Sequence, residues 1–313
     1  MSAPWTPAQA GGLSGRVAIV SGANSGLGYE TARLLAAREA TVVMACRNVA
    51  KGGDAAKAIT AGLPDANLEV CELDLADLAS IRRFAGAIAR RHHEIDLLVN
   101  NAGLMAVPRL ETPDGFELQL GTNYLGHFAL TGLLLPQLLA ADRARVVSLS
   151  SLAHVVGRIA FDDLQGARRY GRVKAYCQSK LAALLFAYEL QRRSADAGTR
   201  LLSVACHPGY CRTNLFAVGP QMRGHKPRTT AVLLRLFAQD AEKGAATVVF
   251  AATAPEVRGG GYYGPKGIFQ LKGLPPREVR SVARSHDRQA AARLWAMSEQ
   301  LTGVGYDCFD HRP

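Results

Sequence analysis

Long apolar runs, paired cysteines and blocks of like charge are all missing from this sequence of 313 residues. No stretch of about 18 uncharged apolar residues occurs, so the sequence predicts no membrane span. The six cysteines include no Cys-x-x-Cys pair, which argues against a disulfide framework or a zinc site and favours a reducing, cytoplasmic location. Although the formal net charge is +11, no run of Lys and Arg exceeds two residues. We therefore expect a solvated basic surface that modestly attracts an anionic cofactor, and no nucleic-acid partner.

The chain also lacks an internal repeat or a low-complexity linker, which favours a single domain over residues 15–313. Residues 1–14 are rich in Pro, Gly and Ala and are predicted to form a flexible tail. Residues 211–243, richer in Pro, Gly, Arg and Phe, are predicted to form a flap that covers an apolar substrate. The alternative is that their apolar side chains are ordinary core. These side chains are Leu215, Phe216, Val218, Met222, Leu233, Leu236 and Phe237.

Short apolar segments with β-branched residues alternate with segments of helical spacing along most of the chain. This order predicts parallel strands joined by right-handed crossovers, which is a doubly wound, Rossmann-type α/β sheet of about seven strands with helices on both faces. The predicted strands are Val17–Val20, Thr41–Ala45, Leu68–Leu73, Asp96–Val99, Arg145–Leu149 and Leu201–Ala205, with a seventh near Gly261–Tyr263. The predicted helices cover residues 28–38, 48–61, 77–90, 114–139 and 175–194.

A glycine-rich segment, Ser21–Gly28, follows the first strand and opens the first helix. Glycine there allows a tight turn, a close approach of the backbone to a pyrophosphate and close helix packing, while the helix N-terminus supplies free N–H groups. The sequence therefore predicts a dinucleotide site at this turn. The loop residues predicted to contact the cofactor are Gly22, Asn24, Ser25, Gly26, Leu27 and Gly28.

The end of the second strand indicates which dinucleotide is bound. An NAD enzyme places a carboxylate there for the ribose hydroxyls, whereas this chain has Ala45-Cys46-Arg47-Asn48 and no acid. A guanidinium can hold a 2′-phosphate through a forked, charge-assisted contact. Arg47 therefore predicts NADP(H), and the alternative is that Arg47 is a plain surface residue.

Two further segments follow predicted strands and are assigned to the adenosine half of the cofactor. Asp74 and Leu75 come after the third strand, where the carboxylate of Asp74 could accept from the adenine amine or could simply begin the next helix. Asn101, Ala102 and Gly103 come after the fourth strand and let the backbone pass close to the ribose, at the edge of the sheet where ligands bind.

Tyr176 and Lys180 are four residues apart and so share one helix face. A phenol with its pKa lowered by an ammonium and by a positively charged nicotinamide could exchange a proton with a carbonyl oxygen. Ser151, after the fifth strand, could hydrogen-bond that oxygen, with Ser150 as the competing candidate. Asn123 is a poor helix former placed mid-helix, which its amide would explain by holding a water behind the lysine.

These motifs together resemble the short-chain dehydrogenase/reductase family over roughly residues 14–265. The resemblance implies a catalytic tetrad of Asn, Ser, Tyr and Lys, and it also implies that a Pro-Gly pair and a Thr after the sixth strand contact the nicotinamide amide and the diphosphate. The tetrad corresponds to Asn123, Ser151, Tyr176 and Lys180, and the other three residues correspond to Pro208, Gly209 and Thr213.

Within the family, residues 45–48, 122–128, 150–154 and 294–301 are similar to the retinol dehydrogenase and protochlorophyllide reductase-like branch. The expected function is an NADP(H)-dependent oxidoreductase that interconverts a carbonyl and an alcohol on a small apolar substrate. The alternatives are a non-redox enzyme that uses the same tyrosine for dehydration or isomerisation, and a regulatory binder of NADP(H). Self-association into a homo-oligomer stays open.

Overall fold

A computed structural model describes residues 5–211, 240–267 and 270–309, which contain one eight-stranded sheet. The spatial order is β3-β2-β1-β4-β5-β6-β7-β8; the first seven strands are parallel, and β8 is antiparallel to β7. The strands are β1 Val17–Ser21, β2 Thr41–Cys46, β3 Leu68–Glu72, β4 Leu97–Asn100, β5 Arg145–Leu149, β6 Leu202–Cys206, β7 Tyr262–Pro265 and β8 Pro276–Glu278. The doubly wound α/β fold is confirmed.

Helices cover both faces of the sheet, since two separate apolar cores lie on its two sides. Polar caps set where two of the helices begin: the side chain of Asn48 accepts from Lys51 N, and that of Asp77 accepts from Ala79 N. The helices are α1 Gly26–Ala36, α2 Val49–Gly62, α3 Leu78–Arg91, α4 Leu118–Leu120, α5 Gly126–Leu133, α6 Leu135–Ala140, α7 Arg172–Asp196, α8 Ala241–Thr253 and α9 Arg288–Thr302.

The single helix predicted over residues 114–139 is wrong in detail, because the structure divides it into three helices and a π-helical turn. Gly115 lies at a φ of +80°, within a turn whose N–H groups bond to Thr112, so no helix forms there. Helix α4 begins only after Glu117, whose carboxylate accepts from two backbone N–H groups. The π turn covers Gly121–Leu125 and joins α4 to α5. Pro136 in the first turn of α6 accounts for the last break.

The described part of the predicted N-terminal tail packs against the domain instead of extending from it. The ring of Trp5 meets the edge of Phe250 on α8 at a centroid distance of 4.9 Å, and Ala10 and Leu13 are buried. A short 3₁₀ turn, Pro7–Gln9, shapes the segment. Burial of these apolar side chains is what overrides the Pro- and Gly-rich composition in residues 5–14.

The strand order reverses direction between β1 and β4, because the chain winds outward to β3 on one side and to β7 on the other. In open parallel sheets a crevice forms at such a reversal, outside the carboxyl ends of the strands. The residues that follow β1, β2, β3, β4, β5 and β6 all lie at this edge of the sheet. Each of these six positions holds a predicted site segment. In strand order the segments are residues 22–28, Arg47, Asp74–Leu75, residues 101–103, Ser151 and Pro208–Gly209.

Candidate active site

The glycine turn after β1 has the close contacts that only glycine permits. Gly22 lies at a φ of +69°, and a Cβ there would be 3.0 Å from the Cβ of Ala102. A Cβ on Gly28 would collide with the carbonyl oxygen of Gly22 and lie 2.6 Å from Asn101 Nδ2. The predicted turn and the predicted Asn101–Gly103 segment are therefore in direct contact, and α1 begins within the turn, at Gly26.

The hydroxyl of Ser21 joins the same two segments by hydrogen bonds. Its oxygen accepts from the backbone N–H groups of Asn101 and Ala102 at 2.9 and 3.0 Å, while Asn101 Nδ2 donates to Ser21 O at 2.7 Å. The sequence motif identified Ser21 only as the residue that precedes the turn. Its role as the anchor of the Asn101 loop is visible only in the structure.

A cavity of about 440 Å³ lies beside the glycine turn, on the side of β2. Its wall includes Lys51 from the first turn of α2, together with one acid, Asp54. Arg47 follows β2 and is exposed, with no hydrogen bond or ion pair to any residue in the described ranges. The structure thus adds Lys51 to the predicted cation. Lys51 could have been identified from the sequence, because it lies only four residues after Arg47. The remaining lining residues are Asn24, Ser25, Tyr29 and Ala55.

Asp74 and Leu75 follow β3 as predicted. One carboxylate oxygen of Asp74 accepts from Ala76 N at 2.9 Å, and the Asp74 N–H donates to Ser80 Oγ at 3.0 Å, which is the geometry of a residue leading into α3. The second carboxylate oxygen has no hydrogen-bond partner among the described residues. Leu75 is buried, and its carbonyl lies so close to Gly126 that no side chain would fit there.

Ser151, Tyr176 and Lys180 come together at the ends of β5 and on the first turns of α7. The Ser151 hydroxyl is close enough to the Tyr176 phenol to act on its pKa, and Lys180 Nζ lies 5.9 Å from the centre of the phenol ring. The ammonium of Lys180 donates to Leu149 O at 3.0 Å. Ser150 donates its hydroxyl to the backbone oxygen of Lys180 at 2.8 Å, so this serine supports the helix and Ser151 is the one beside the phenol.

The pKa values of the two ionisable groups differ from the sequence-based expectation. Burial raises the pKa of Tyr176 to about 12, and the neighbouring Ser151 hydroxyl only partly offsets this rise. Burial lowers the pKa of Lys180 to about 8. In the protein alone the ammonium therefore does not produce a phenolate. At neutral pH Tyr176 carries its proton and Lys180 its charge, which suits Tyr176 as a proton donor.

Asn123 lies in the π turn, and its side-chain amide makes three hydrogen bonds to protein groups. Nδ2 donates to Leu104 O and to Ser179 Oγ, and Oδ1 accepts from Leu104 N, each at 2.9 Å. Both amide protons are used, while Oδ1 keeps a second lone pair, so the predicted role of this amide in holding a water stays a prediction. The amide fixes Leu104 and the helix turn of Lys180, and it lies against Gly103, where a Cβ would be 3.0 Å from Oδ1.

The segment after β6 completes the described edge of the crevice. Pro208 and Gly209 follow Cys206, and Gly209 adopts a φ of +74° where a Cβ would collide with Leu271 O. His207 is buried and accepts from Gly209 N at 3.3 Å. Thr213 and the predicted flap from residue 212 to residue 239 lie outside the described residues, while residues 241–243 form the start of α8.

The described ranges lack the features of two other kinds of site. Residues 5–211, 240–267 and 270–309 contain no group of three or more His, Cys, Asp or Glu side chains that could hold a metal ion. Within the same ranges no helix has the length and apolar character needed to cross a bilayer.

Comparison with known proteins identifies relatives along almost the whole chain. Retinol dehydrogenase 12 from Homo sapiens is 40% identical over 301 residues, which are 94% of this chain and 89% of the relative. Polyprenol dehydrogenase from Mus musculus is 42% identical over 297 residues, which are 93% and 85% of the two chains.

Solved structures agree with these sequence relatives. A crystal structure of a protein from Mycobacterium paratuberculosis is 44% identical, with a TM-score of 0.81 over 97% of this chain and 99% of the other. A structure from Beutenbergia cavernae, described as an NAD(P)-dependent gluconate 5-dehydrogenase with NADP bound at low occupancy, is 26% identical, with a TM-score of 0.60 over 77% and 90% of the two chains. The short chain dehydrogenase family itself matches residues 16–223. The chain belongs to the short-chain dehydrogenase/reductase family of oxidoreductases, in its retinol dehydrogenase-like branch.

Proposed function

We propose that the protein is an NADP(H)-dependent oxidoreductase that interconverts a ketone or aldehyde and an alcohol on an apolar small-molecule substrate. The observation that carries the proposal is the buried Tyr176 phenol, with the Ser151 hydroxyl beside it and Lys180 on the same helix face. These groups adjoin the glycine turn, at the edge of the sheet where dinucleotides bind. Bound NADP(H) would supply or accept the hydride.

Each residue of the site has one task in carbonyl reduction. Tyr176 donates its phenolic proton to the carbonyl oxygen as that oxygen gains charge. Ser151 hydrogen-bonds the same oxygen and stabilises the charge. Lys180 would hold a ribose hydroxyl of the cofactor, and its ammonium, 5.9 Å from the centre of the Tyr176 ring, favours the phenolate that remains after proton transfer. Asn123 keeps Lys180 in place through Ser179 and Leu104.

The preference for NADP(H) over NAD(H) rests on two cations and a missing acid. Lys51 lines the cavity beside the glycine turn, Arg47 directly follows β2, and no carboxylate takes the place of Arg47 there. A 2′-phosphate would be attracted by both cations, whereas the hydroxyl of NAD(H) offers no charge to either. The carboxylate of Asp54 on the cavity wall repels a phosphate, but its single negative charge is smaller than the two positive charges of Arg47 and Lys51.

An apolar substrate is supported by the names of the relatives, since retinol and polyprenols are long, largely hydrocarbon alcohols. The free thiols of the six cysteines support a reducing, cytoplasmic compartment, which we include in the proposal. A non-redox reaction remains the rival, because proton transfer by Tyr176 would serve dehydration or isomerisation as well.

The test is to incubate the protein with NADPH or NADH and a panel of ketones and aldehydes of increasing chain length, and to follow the absorbance of the reduced nicotinamide. Tyr176→Phe keeps the ring and removes the proton, so turnover should fall by about 10²-fold or more with little change in NADPH affinity. Tyr188→Phe is the matched control, because Tyr188 is a buried phenol further along α7 that bonds Ser281 at 2.8 Å, and it should retain turnover. Near wild-type turnover in Tyr176→Phe would contradict the assignment.

The rival reaction predicts a different pattern in the same experiment. A wild type that binds NADPH but never oxidises it, while converting a hydroxy-ketone or an enone without redox change, would favour proton transfer alone. Lys180→Ala should lose both NADPH affinity and turnover, which separates it from Tyr176→Phe.

A further inference from the structure

His127 lies at the start of α5, fully buried, and joins two parts of the site that are far apart in the chain. Its Nε2 is 2.9 Å from Ser21 Oγ at the end of β1, and its Nδ1 is 3.2 Å from the backbone oxygen of Asn123. No step of the proposed reaction uses this side chain. An apolar side chain could occupy this buried position at a lower desolvation cost, so we infer that the imidazole is present for its two hydrogen bonds.

The two partners fix where the proton on His127 resides. Nδ1 faces a carbonyl oxygen, which can only accept, so Nδ1 carries the proton and donates it. Nε2 then has a lone pair and accepts the hydroxyl proton of Ser21. This leaves the lone pairs of Ser21 Oγ for the N–H groups of Asn101 and Ala102. The only other acceptor close to the Ser21 hydroxyl among the described residues is Val99 O, at 3.3 Å.

The outer ends of this chain of hydrogen bonds are both functional. At one end the Ser21 hydroxyl holds the Asn101–Ala102 backbone beside the glycine turn. At the other end Asn123 clamps Leu104 and Ser179, next to Lys180. Because Nδ1 binds the backbone of Asn123 and not its amide, the imidazole fixes the π turn itself.

We propose that His127 is a positioning residue which, as the neutral Nδ1–H tautomer, locks the cofactor-binding loop after β4 and the Asn123 turn to a common point through Ser21. The role rests on the dinucleotide site proposed above. It predicts that loss of the imidazole weakens dinucleotide binding and turnover together.

Burial adds a consistent observation about charge. It lowers the pKa of His127 to about 4, with Lys180 adding repulsion, so the ring stays neutral around pH 7. A protonated ring would also direct Nε2–H at the Ser21 oxygen, which already accepts two N–H groups.

The tautomer can be measured directly in the intact protein. In ¹⁵N-histidine NMR spectra at pH 7, His127, assigned by the signal lost in His127→Asn, should show a protonated Nδ1 and an unprotonated Nε2. A protonated Nε2, or an imidazolium, would overturn the proposal whether or not any cofactor binds.

Variants test whether the link acts on the site. His127→Phe should weaken NADPH binding by about 5- to 10-fold, the loss expected for one buried hydrogen bond of about 1–1.5 kcal/mol. His127→Asn, whose amide nitrogen replaces Nδ1 but cannot reach Ser21, should weaken binding similarly while retaining more turnover. Ser21→Ala should weaken binding more, and adding His127→Phe to it should cause little further loss, because the two residues act in one chain.

Tyr306→Phe is the matched structural control. The buried hydroxyl of Tyr306 donates to Phe128 O at 2.8 Å. Phe128 is on the same helix as His127, but this bond involves neither Ser21 nor Asn123. Tyr306→Phe should lower the melting temperature and leave NADPH binding unchanged. Unchanged binding in His127→Phe, or losses that multiply in the double variant, would overturn the positioning role. If the wild type bound no dinucleotide, the proposed function and this role would fail together, whereas a wrong tautomer contradicts the role alone.

Discussion

Replacing Gly28 with alanine tests the contact between the glycine turn and the Asn101 loop. The new Cβ would collide with the backbone oxygen of Gly22 and lie 2.6 Å from Asn101 Nδ2, so either the turn opens or the Asn101 amide leaves Ser21 O. Overpacking of this kind costs about 1–3 kcal/mol. The better helix propensity of alanine returns about 1 kcal/mol within α1. The net loss of stability should therefore be small, about 0–2 kcal/mol.

Binding is the decisive measurement, because both ways of relieving the collision deform the dinucleotide turn. We expect Gly28→Ala to weaken NADPH at least about 10-fold in a fluorescence or calorimetric titration, equivalent to about 1.4 kcal/mol. NADH should weaken in parallel, since the deformation lies at the shared pyrophosphate position. Wild-type affinity in Gly28→Ala would refute the reasoning.

Two glycines serve as controls for this variant. A Cβ on Gly132 in α5 would lie 2.7 Å from a methyl group of Val304, so Gly132→Ala should lose stability by overpacking and bind NADPH normally. A Cβ on Gly53 in α2 meets nothing within 4 Å among the described residues, so Gly53→Ala should gain about 0.5–1 kcal/mol. Weak NADPH binding by Gly132→Ala would show that affinity follows stability and not the local contact.

Three further outcomes are expected. Arg47→Ala and Lys51→Ala should each weaken NADPH by about 10- to 100-fold and NADH little, and a wild type that binds both cofactors equally would contradict this cofactor assignment. NADPH affinity should decline as pH rises through about 8, where the buried Lys180 loses its proton, and Lys180→Arg should move that decline upward; a flat profile in the wild type would count against it. Burial lowers the pKa of His207 from 6.5 to about 4, so below pH 6.5 the unfolded chain binds a proton that the folded chain does not. That contribution of about 3 kcal/mol is complete above pH 6.5 and is lost as pH falls through 4, and denaturant unfolding of His207→Gln should show a shallower loss than the wild type.

The strands were the most predictable part of the fold. The predictions for β1 to β6 agree with the observed ends to within one residue. Except for the edge strand β3, these strands are buried and leave a mostly apolar run that turn residues interrupt. Strand β8 was missed, since three residues with two charges carry no such pattern. The break before α6 could have been predicted from Pro136, whereas the π turn around Asn123 leaves no periodic signal.

The sequence predicted which residues lie at the candidate site better than it predicted their hydrogen bonds and pKa values. Ser151, Tyr176 and Lys180 meet as expected, since a four-residue spacing and a sheet edge are local rules. The link between Ser21 and His127 spans 106 residues, and only tertiary packing creates it. The raised pKa of Tyr176 in the protein alone follows from burial, which the sequence does not state, whereas the predicted depression also depends on a bound nicotinamide and stays a prediction.

The last two strands give the sheet an edge that offers little to another chain. Pro265 and Pro276 are paired across β7 and β8, and neither has an N–H to donate; the exposed Arg277 and Glu278 complete the short outer strand. At the opposite edge, β3 carries Glu69 and Glu72. Short, charged and proline-containing edges discourage strand addition, the first step towards cross-β aggregates. Both edges of the sheet in the folded protein are therefore protected against pairing with a strand of another molecule, even in a concentrated solution.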